Sequence, residues 1–428
     1  MRRLIGWLAR FATSLLLRRV EVADLDRLPR GRPVLLVANH FNGFVDPLVI
    51  ASALGRLPRF VAKDALRAVP GLGLVLRAAG VVFVRRREDS PRGAVSNEDA
   101  FAECHRALVD RDVVAIFPEG TTHDRPRMDP IKTGAARIAL GARAAGAHDL
   151  VVVPVGLTFP DKVALRASAL VQLGHPITVE SVAPEGVGAD DPGAVRELTA
   201  VIDRGLRAVS QDFDDVETAL ALEQGATIAL SSERDPDPSL EARYDLARAL
   251  SQAPPEAQDA VRRDVGRYTT LLTGLQLTDA DVITPTSPSR LLRSATGIAL
   301  LVLLLGSVVA ATAIVNVWPA LLVALVSLVV RTPVTKGTVR VLVGLVAFPA
   351  AWIAAANLTA DGFLPVTGLV LTMAVGALAA VWLIERAVAL AFMLLRWRAQ
   401  LERIAAIGQA EALRAEVVAT VRKVAGLA

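Results

Sequence analysis

The sequence predicts an α/β domain with a mixed, largely covered sheet flanked by helices, followed by a helical arm and C-terminal membrane helices. Between about residues 20 and 179, short apolar runs rich in β-branched residues alternate with helical patterns, which is typical of strands covered on both faces. Hydrophobic residues make up 53% of the 428 residues and charged residues 21%. This balance indicates a soluble part joined to a membrane part.

Five segments are predicted from composition and periodicity. They are an amphipathic interfacial helix (1–20), the α/β domain (21–183), a polar helical arm or linker (184–290), a membrane domain of two hydrophobic hairpins (291–395) and a C-terminal helix (396–428). The first segment, MRRLIGWLARFATSLLLRRV, has arginines throughout, unlike a secretory signal peptide. We expect its Trp7, Leu8, Phe11, Leu15 and Leu16 to enter lipid headgroups. Packing of this helix on the domain is an equally supported alternative.

The strands of the α/β domain are predicted at six runs. They are PVLLVANH, RFVAK, GVVFVRR, VVAIFPEG, VVVPVGLTF and ALVQLGHPITV. Each run ends in polar, Gly or Pro residues. Because sites in such folds gather at the carboxyl ends of strands, the functional residues are sought there.

The membrane segment is predicted from residues 296–330, which carry no charged side chain. The sequence Asn-Val-Trp-Pro at 316–319 is expected to turn this stretch back into a hairpin, and residues 341–360 and 364–384 are expected to form a second one. Arginines and lysines lie outside both pairs. The positive-inside rule therefore predicts that both hairpins begin and end in the cytoplasm, with the α/β domain on that face of the cell membrane.

Charge and cysteine content exclude several function classes. A net charge of +4 favours contact with anionic headgroups or phosphorylated substrates, whereas basic stripes interleaved with aromatics, typical of nucleic-acid binders, are missing from the sequence. Cys104 is the only cysteine, so disulfides within the chain and cysteine zinc sites are excluded. The five histidines form no metal-ligand pattern. His123 follows the FPEG turn and is expected at the surface, with a supporting role beside the site as the alternative. Nucleotide-binding glycine motifs do not occur, which argues against nucleotide hydrolysis and hydride transfer. With the histidine pattern, this predicts no metal and no cofactor.

His40 and Asp46 flank a turn directly after the first predicted buried strand. On one continuous helix their spacing would point the side chains apart, but Asn42-Gly43 permits a reversal of the chain that brings them together. Two alternatives remain open at this point. Asp46 before proline suits the N-cap of a helix, and His40 alone suits a buried structural histidine.

Other strand ends carry further polar residues. Arg86 follows GVVFVR, Glu119-Gly120-Thr121 follows VVAIFP, and Lys132 opens the helical pattern KTGAARIAL. Each has an ordinary structural explanation as a helix-start acid, a solvated strand end or a surface cation. Their joint order is the informative feature.

That order resembles the phospholipid and glycerol acyltransferase family. The family has four blocks in one sequence, which correspond here to Asn39-His40 with Asp46, the strand GVVFVRR ending at Arg86, the turn FPEGT at 117–121, and the strand VPV at 153–155. The segment FVAKDALRAVPGLG also resembles a family segment and points to Lys63. Most members have four residues between the histidine and the aspartate, and this chain has five. With NEDAF and KTGAARIAL, the longer spacing resembles the branch that includes glycerol-3-phosphate and dihydroxyacetone-phosphate acyltransferases with C-terminal membrane segments.

The resemblance implies a glycerolipid acyltransferase fold and transfer of an acyl group from acyl-CoA or acyl carrier protein to a glycerol hydroxyl. His40 is expected to be the general base and Asp46 to orient it. Arg86, then Lys63 and Lys132, are expected to bind the phosphate of the acceptor, and Glu119, Gly120 and Thr121 to line the site. Backbone amides around residues 40–43 are the expected oxyanion donors. Cys104 is expected to pack in the core.

Three acceptors stay open at this point: glycerol-3-phosphate, dihydroxyacetone phosphate and 1-acylglycerol-3-phosphate. The first alternative is a non-catalytic membrane protein whose α/β domain binds phospholipid headgroups or a partner. The second is a thioesterase-like hydrolase in which His40 activates water.

Overall fold

A computed structural model of the chain describes residues 1–69, 71–85, 97–123, 125–161, 164, 166–184, 186–213 and 215–427. Contacts divide the chain into two compact units, Met1–Asp212 with Thr332–Val341, and Phe213–Arg331 with Leu342–Ala428. The first contains the α/β domain and the second contains only helices among its described residues.

The first unit is built on an eight-stranded mixed sheet, which confirms the predicted fold class. The strands are β1 (Leu17–Ala23), β2 (Val34–Ala38), β3 (Arg59–Lys63), β4 (Val82–Val84), β5 (Val113–Ile116), β6 (Val151–Thr158), β7 (Ala167–Leu173) and β8 (Ile177–Thr178). Their spatial order is β1-β7-β6-β2-β5-β3-β4, with β8 beside β6. The neighbours β6, β2, β5, β3 and β4 are mutually parallel, whereas β7 and β8 run antiparallel to β6. All six predicted strand runs are thereby confirmed.

Helices cover both faces of this sheet. In chain order they are α1 (Arg2–Leu16), α2 (Val45–Ala53), α3 (Leu72–Ala79), α4 (Glu98–Val109), α5 (Gly134–Ala144) and α6 (Pro192–Arg207). One buried cluster joins α4, α5 and α6 to one face of the sheet, and another joins α2 and α3 to the other. Residues of β2 alternate between the two clusters, with Leu35 and Val37 in the first and Val34 and Leu36 in the second. This alternation follows from the twofold side-chain period of a strand.

The composition of helix α6 predicts that it belongs to the polar arm, but the helix packs in the α/β unit. Its apolar residues recur at helical spacing, and Val195, Leu198 and Ile202 are buried in the core cluster with the sheet. Periodicity rather than composition decides where such a helix packs. The first unit therefore extends beyond the predicted boundary at residue 183, to Asp212.

Helix α1 is shorter than the predicted 1–20 segment, because residues from Leu17 onward form β1 and pair with β7. One face of this helix is buried and consists of small residues, Gly6, Ala9 and Ala12. The helix packs against α2. Trp7 and Leu8 remain exposed. The helix thus packs on the domain through one face, and insertion of the other into lipid headgroups stays a prediction.

The second unit consists of an arm and three long apolar helices. Its helices are α7 (Val216–Leu230), α8 (Leu240–Ser251), α9 (Pro255–Leu275), α10 (Asp279–Ile283), α11 (Pro288–Val329), α12 (Pro333–Thr359, of which the first residues belong to the first unit), α13 (Phe363–Glu402) and α14 (Ile404–Val424). Helix α14 shares one buried core with α7, α8 and α9. The C-terminal helix predicted for 396–428 is therefore two helices, since α13 continues to Glu402.

In the part of the chain that the structure describes, three helices are long and apolar enough to cross a membrane: α11, α12 from Lys336, and α13. The turn predicted at residues 316–319 is wrong, because α11 is continuous there and contains Pro319. Asn316 does not form a turn. Its side-chain amide donates to the Met373 carbonyl at 3.1 Å and accepts the indole N–H of Trp352 at 2.8 Å. Residues of α12 and α13 thus provide hydrogen-bond partners for the polar side chain of Asn316, and the helix continues through this position.

Candidate active site

The site is built where β2 and β5 end, at the carboxyl edge of the parallel strands. Asn39 follows β2 and is fully buried. Its side-chain amide donates to the Leu157 carbonyl at 2.9 Å, and its oxygen accepts the Leu157 N–H at 2.6 Å. The oxygen and the NH2 group of the Asn39 side chain therefore both have hydrogen-bond partners in β6, as a buried polar group requires. The backbone directly before His40 is fixed to the sheet.

His40 and Asp46 lie together across the turn that the sequence predicted. The Nδ1 atom of His40 is 2.9 Å from Oδ2 of Asp46, and the same oxygen accepts the backbone N–H of Asn42 at 2.9 Å. Gly43 has a φ of +51°, in the left-handed region that glycine adopts at low cost. Asp46 is fully buried, whereas 16% of the His40 side chain is exposed. One ring edge is held by the protein, and the imidazole still reaches the surface.

The alternative interpretation of Asp46 as a helix N-cap does not match the structure. Helix α2 begins at Val45 with Phe44 at the N-cap position, so Asp46 lies inside the first turn. Its Oδ2 atom contacts residues before the helix. An N-cap side chain would instead accept N–H groups two or three residues ahead. The buried carboxylate therefore serves the turn and the imidazole.

Glu119 connects this turn to the end of β5. It is 2% exposed, and its Oε1 accepts the backbone N–H of His40 at 2.8 Å. Its Oε2 lies 2.8 Å from Nε2 of His123 and accepts the Asp129 N–H at 2.9 Å. The expected position of His123 at the surface is wrong, because its side chain is 9% exposed and contacts Glu119. In this arrangement the carboxylate braces the backbone of His40.

Two phenylalanines for which the sequence predicted no role form a stack that begins at the imidazole. The Phe117 ring stacks on the His40 ring, with centroids 4.1 Å apart and an interplanar angle of 19°. Phe60 stacks on Phe117 in turn, at 6.3 Å. Phe117 directly follows β5 within the FPEG turn, which is the signal that could have identified it. The stack restricts rotation of the imidazole ring.

The structure describes two of the three basic residues expected to bind phosphate, Lys132 and Lys63. Lys132 donates its backbone N–H to the Pro118 carbonyl at 2.8 Å, and a Cβ atom added to Gly120 would lie 3.0 Å from its Nζ. Gly120 has a φ of +72°, so both its conformation and this approach favour glycine. Lys63 ends β3 at the same edge of the sheet. Arg86 lies outside the described residues.

Two of the backbone N–H groups near His40 already donate hydrogen bonds to carboxylates. His40 N–H donates to Glu119 and Asn42 N–H donates to Asp46, so these two of the four expected oxyanion donors already have acceptors. Thr121 follows Gly120 and is half-buried.

Cys104 is buried in the core cluster, and burial raises the pKa of its thiol to about 12. Since the thiolate is the nucleophilic form, this cysteine is a packing residue.

Comparisons with known proteins show which family the α/β domain resembles. Residues 19–158 match the family model described as Acyltransferase. The lyso-ornithine lipid O-acyltransferase of Rhizobium meliloti is 32% identical over 206 residues, which cover 48% of this chain and 64% of that protein. The 1-acyl-sn-glycerol-3-phosphate acyltransferase beta of Homo sapiens is 30% identical over 141 residues, covering 33% and 49%.

Glycerol-3-phosphate O-acyltransferase 2 of Saccharomyces cerevisiae is 33% identical over 130 residues, which cover 30% of this chain and 18% of that protein. The chain thus spans between 18% and 64% of the length of these three relatives. Among solved structures, the 1-acyl-sn-glycerophosphate (LPA) acyltransferase PlsC from Thermotoga maritima has a TM-score of 0.36 at 20% identity, covering 48% of this chain and 76% of that one. The resemblance indicated by the four ordered blocks is confirmed, since residues 19–158 match the Acyltransferase family model and similar proteins are named as glycerol-3-phosphate and 1-acylglycerol-3-phosphate acyltransferases.

Proposed function

We propose that the protein is a membrane-bound O-acyltransferase of phospholipid synthesis. It transfers a fatty acyl group from acyl-CoA or acyl carrier protein to a hydroxyl of glycerol-3-phosphate, dihydroxyacetone phosphate or 1-acylglycerol-3-phosphate. The observation that carries the proposal is the His40–Asp46 pair, with 2.9 Å between Nδ1 and Oδ2, inside a domain of the acyltransferase family.

His40 is the general base in this proposal. An ionised carboxylate can only accept hydrogen bonds, so the Nδ1 atom facing Asp46 carries the proton of a neutral imidazole. The Nε2 atom then has a lone pair for the proton of the acceptor hydroxyl, and histidine is the side chain that most often takes this role in enzymes. Asp46 holds the tautomer and stabilises the imidazolium that forms, as the third member of a catalytic triad does.

The reaction balances without an acyl-enzyme intermediate. As His40 takes the hydroxyl proton, the acceptor oxygen attacks the thioester carbonyl carbon and a C–O bond forms. The tetrahedral intermediate collapses, the C–S bond breaks, and the imidazolium returns its proton to the leaving thiolate. The products are an ester and a free thiol, so the acceptor hydroxyl replaces the nucleophilic serine of a hydrolase.

Basic residues at the same sheet edge are proposed to bind the acceptor phosphate. Lys132 lies beside Gly120 in the turn that carries Glu119, and Lys63 ends a parallel strand of the same sheet. Charge-assisted hydrogen bonds from such residues fix a phosphorylated acceptor in one pose. Arg86 is proposed for the same role from the family resemblance.

The location is proposed to be the cell membrane with the α/β domain facing the cytoplasm. Among the described residues, three helices are long and apolar enough to cross a membrane. The cytoplasmic orientation is proposed from Arg290 and Arg293, which lie at the start of the first of these helices, on the side where the chain arrives from the α/β domain. Protease protection in sealed vesicles tests it, and cleavage of the α/β domain from the outer cell surface would contradict it.

A single assay separates the functions that compete. Detergent-purified protein receives labelled acyl-CoA or acyl carrier protein and one acceptor at a time, with lyso-ornithine lipid included because one relative is named for it. We expect transfer to a phosphorylated glycerol acceptor, and a loss of at least about a thousandfold for His40→Ala. Transfer that survives this substitution refutes the assignment of the base. Acyl release without acceptor indicates a hydrolase, and headgroup binding without turnover indicates a non-catalytic protein.

A further inference from the structure

The start of helix α12 contacts the turn that joins His40 to Asp46. Residues Thr332–Val341 belong to the α/β unit although they lie far outside the family match at 19–158. The Thr338 hydroxyl oxygen accepts the backbone N–H of Phe44 at 3.1 Å. Val341 is 3% exposed and lies in the core cluster that contains β2 and α2 residues. The segment is therefore packed into the α/β unit next to the catalytic turn.

Gly337 allows the helix to lie this close. A Cβ atom added at Gly337 would be 2.8 Å from Oδ1 of Asn42 and 3.6 Å from Cγ2 of Val45. The first distance is shorter than side-chain carbons adopt in proteins, so a larger residue must displace Asn42 or the helix. Asn42 is 4% exposed, which leaves little room for such a displacement.

Both contacts act on the residues between the two members of the proposed catalytic pair. The backbone N–H of Asn42 donates to the Asp46 oxygen that also faces His40. The N–H of Phe44 is at the N-cap of α2, where an amide has no partner inside the helix. A shift of Asn42 or Phe44 therefore changes the separation between the imidazole and the carboxylate.

We propose that Gly337 and Thr338 are positioning residues, which hold the turn at Asn42–Phe44 so that Asp46 meets His40. The inference rests on the proposed function for its kinetic consequences. It extends the site to a segment that none of the four sequence blocks includes. Both residues lie in the part of α12 that belongs to the α/β unit, Thr332–Val341.

The experiment compares Gly337→Ala and Thr338→Val with three matched variants. Thr338→Ser keeps the hydroxyl that accepts from Phe44. Gly344→Ala adds a Cβ in the same helix, where the nearest atom is 3.9 Å away. Thr359→Val removes a hydroxyl that bonds only to carbonyls of its own helix. Each purified protein is assayed for kcat, for KM of donor and acceptor, for Tm, and for hydrogen exchange of the peptide that contains Phe44.

We expect kcat to fall about 10-fold to 100-fold for Gly337→Ala, with KM values little changed, because a displacement of about 1 Å in a catalytic group costs this much. For Thr338→Val we expect a smaller loss, about 3-fold to 10-fold, and faster exchange of the Phe44 amide, because that amide loses its acceptor. Thr338→Ser should restore both. Gly344→Ala and Thr359→Val should match wild type in kcat.

Three results overturn the inference: equal kcat for Thr338→Val and Thr338→Ser, a loss in the control variants as large as that of Gly337→Ala, or losses that follow Tm alone. Failure of the proposed function is distinguishable, since wild type would then transfer no acyl group to any acceptor. Hydrogen exchange still decides in that case. Unchanged exchange of the Phe44 amide in Thr338→Val contradicts the contact itself, and faster exchange supports it.

Discussion

Two buried aspartates at the start of helices have different tasks in this protein. Asp46 in α2 is fully buried and Asp281 in α10 is 6% exposed. Asp281 completes a capping box, accepting the Thr278 N–H at 2.9 Å and its hydroxyl at 2.6 Å. Asp46 instead accepts the Asn42 N–H and faces the His40 ring. The same residue type in a first helical turn stabilises a helix in one unit and holds an imidazole in the other, so partners rather than position indicate function.

The largest effect that tests this comparison is expected for Asp46→Asn. Asparagine keeps the size of the side chain, but its amide no longer fixes the tautomer of His40 or stabilises an imidazolium. We expect kcat to fall by a factor of about 10³ to 10⁴, with Tm nearly unchanged. The measurement is steady-state kinetics beside thermal unfolding. A variant that unfolds near room temperature would favour a purely structural role for this carboxylate.

Glu119→Gln is expected to have the next largest effect. Both carboxylate oxygens now accept, from His40 N–H on one side and from Asp129 N–H on the other, with His123 Nε2 also at hydrogen-bond distance. An amide group must present N–H to one of these sides and leaves at least one donor unsatisfied. We expect kcat to fall about 10-fold to 100-fold. An unchanged kcat would show that the brace on His40 is unimportant for turnover.

Asp281→Asn is the matched control for Asp46→Asn. Asparagine keeps an oxygen that can accept from Thr278 but loses the negative charge near Arg396 and the start of the helix, so stability should fall by at most about 1 kcal/mol. Since Asp281 contacts Thr278 and has Arg396 Nε at 3.7 Å, we expect its effect in Tm and not in kcat per folded molecule. A loss of kcat comparable with that of Asp46→Asn would remove the distinction between the two carboxylates.

The sequence predicted the polar residues at the ends of β2 and β5 because they lie next to strands in the chain. Nothing local could predict that Thr338 meets Phe44, since the contact joins distant segments. His123 was misplaced because its spacing from Glu119 is uninformative in an irregular turn. The predicted turn at Asn316–Pro319 is wrong because asparagine and proline indicate only a local preference for a turn. In the structure, Trp352 and Met373 on other helices provide the hydrogen-bond partners of the Asn316 side chain, and the helix continues.

The smallest effect is expected at Asp112, which lies at the amino end of β5, opposite to Glu119. Burial alone would raise the pKa of its carboxyl, but hydrogen bonds from Arg2 and Arg59, each 2.8 Å from Oδ2, lower it below the ordinary value near 3.8. Because the folded-state pKa lies below the unfolded-state pKa, the carboxylate stabilises the protein at pH values above the unfolded-state pKa. This stability is lost as the pH falls through that value towards the folded-state pKa.

Asp112→Asn should therefore lower the free energy of unfolding by about 1 kcal/mol at pH 7, since the ion pairs are partly exposed. The difference from wild type should shrink as the pH falls below about 4. Thermal unfolding between pH 7 and pH 3.5 measures it, and kcat at pH 7 should stay at the wild-type value. A difference that grows on acidification would contradict the lowered pKa. A loss of kcat at constant Tm would mean that the amino end of β5 also controls the site at its carboxyl end.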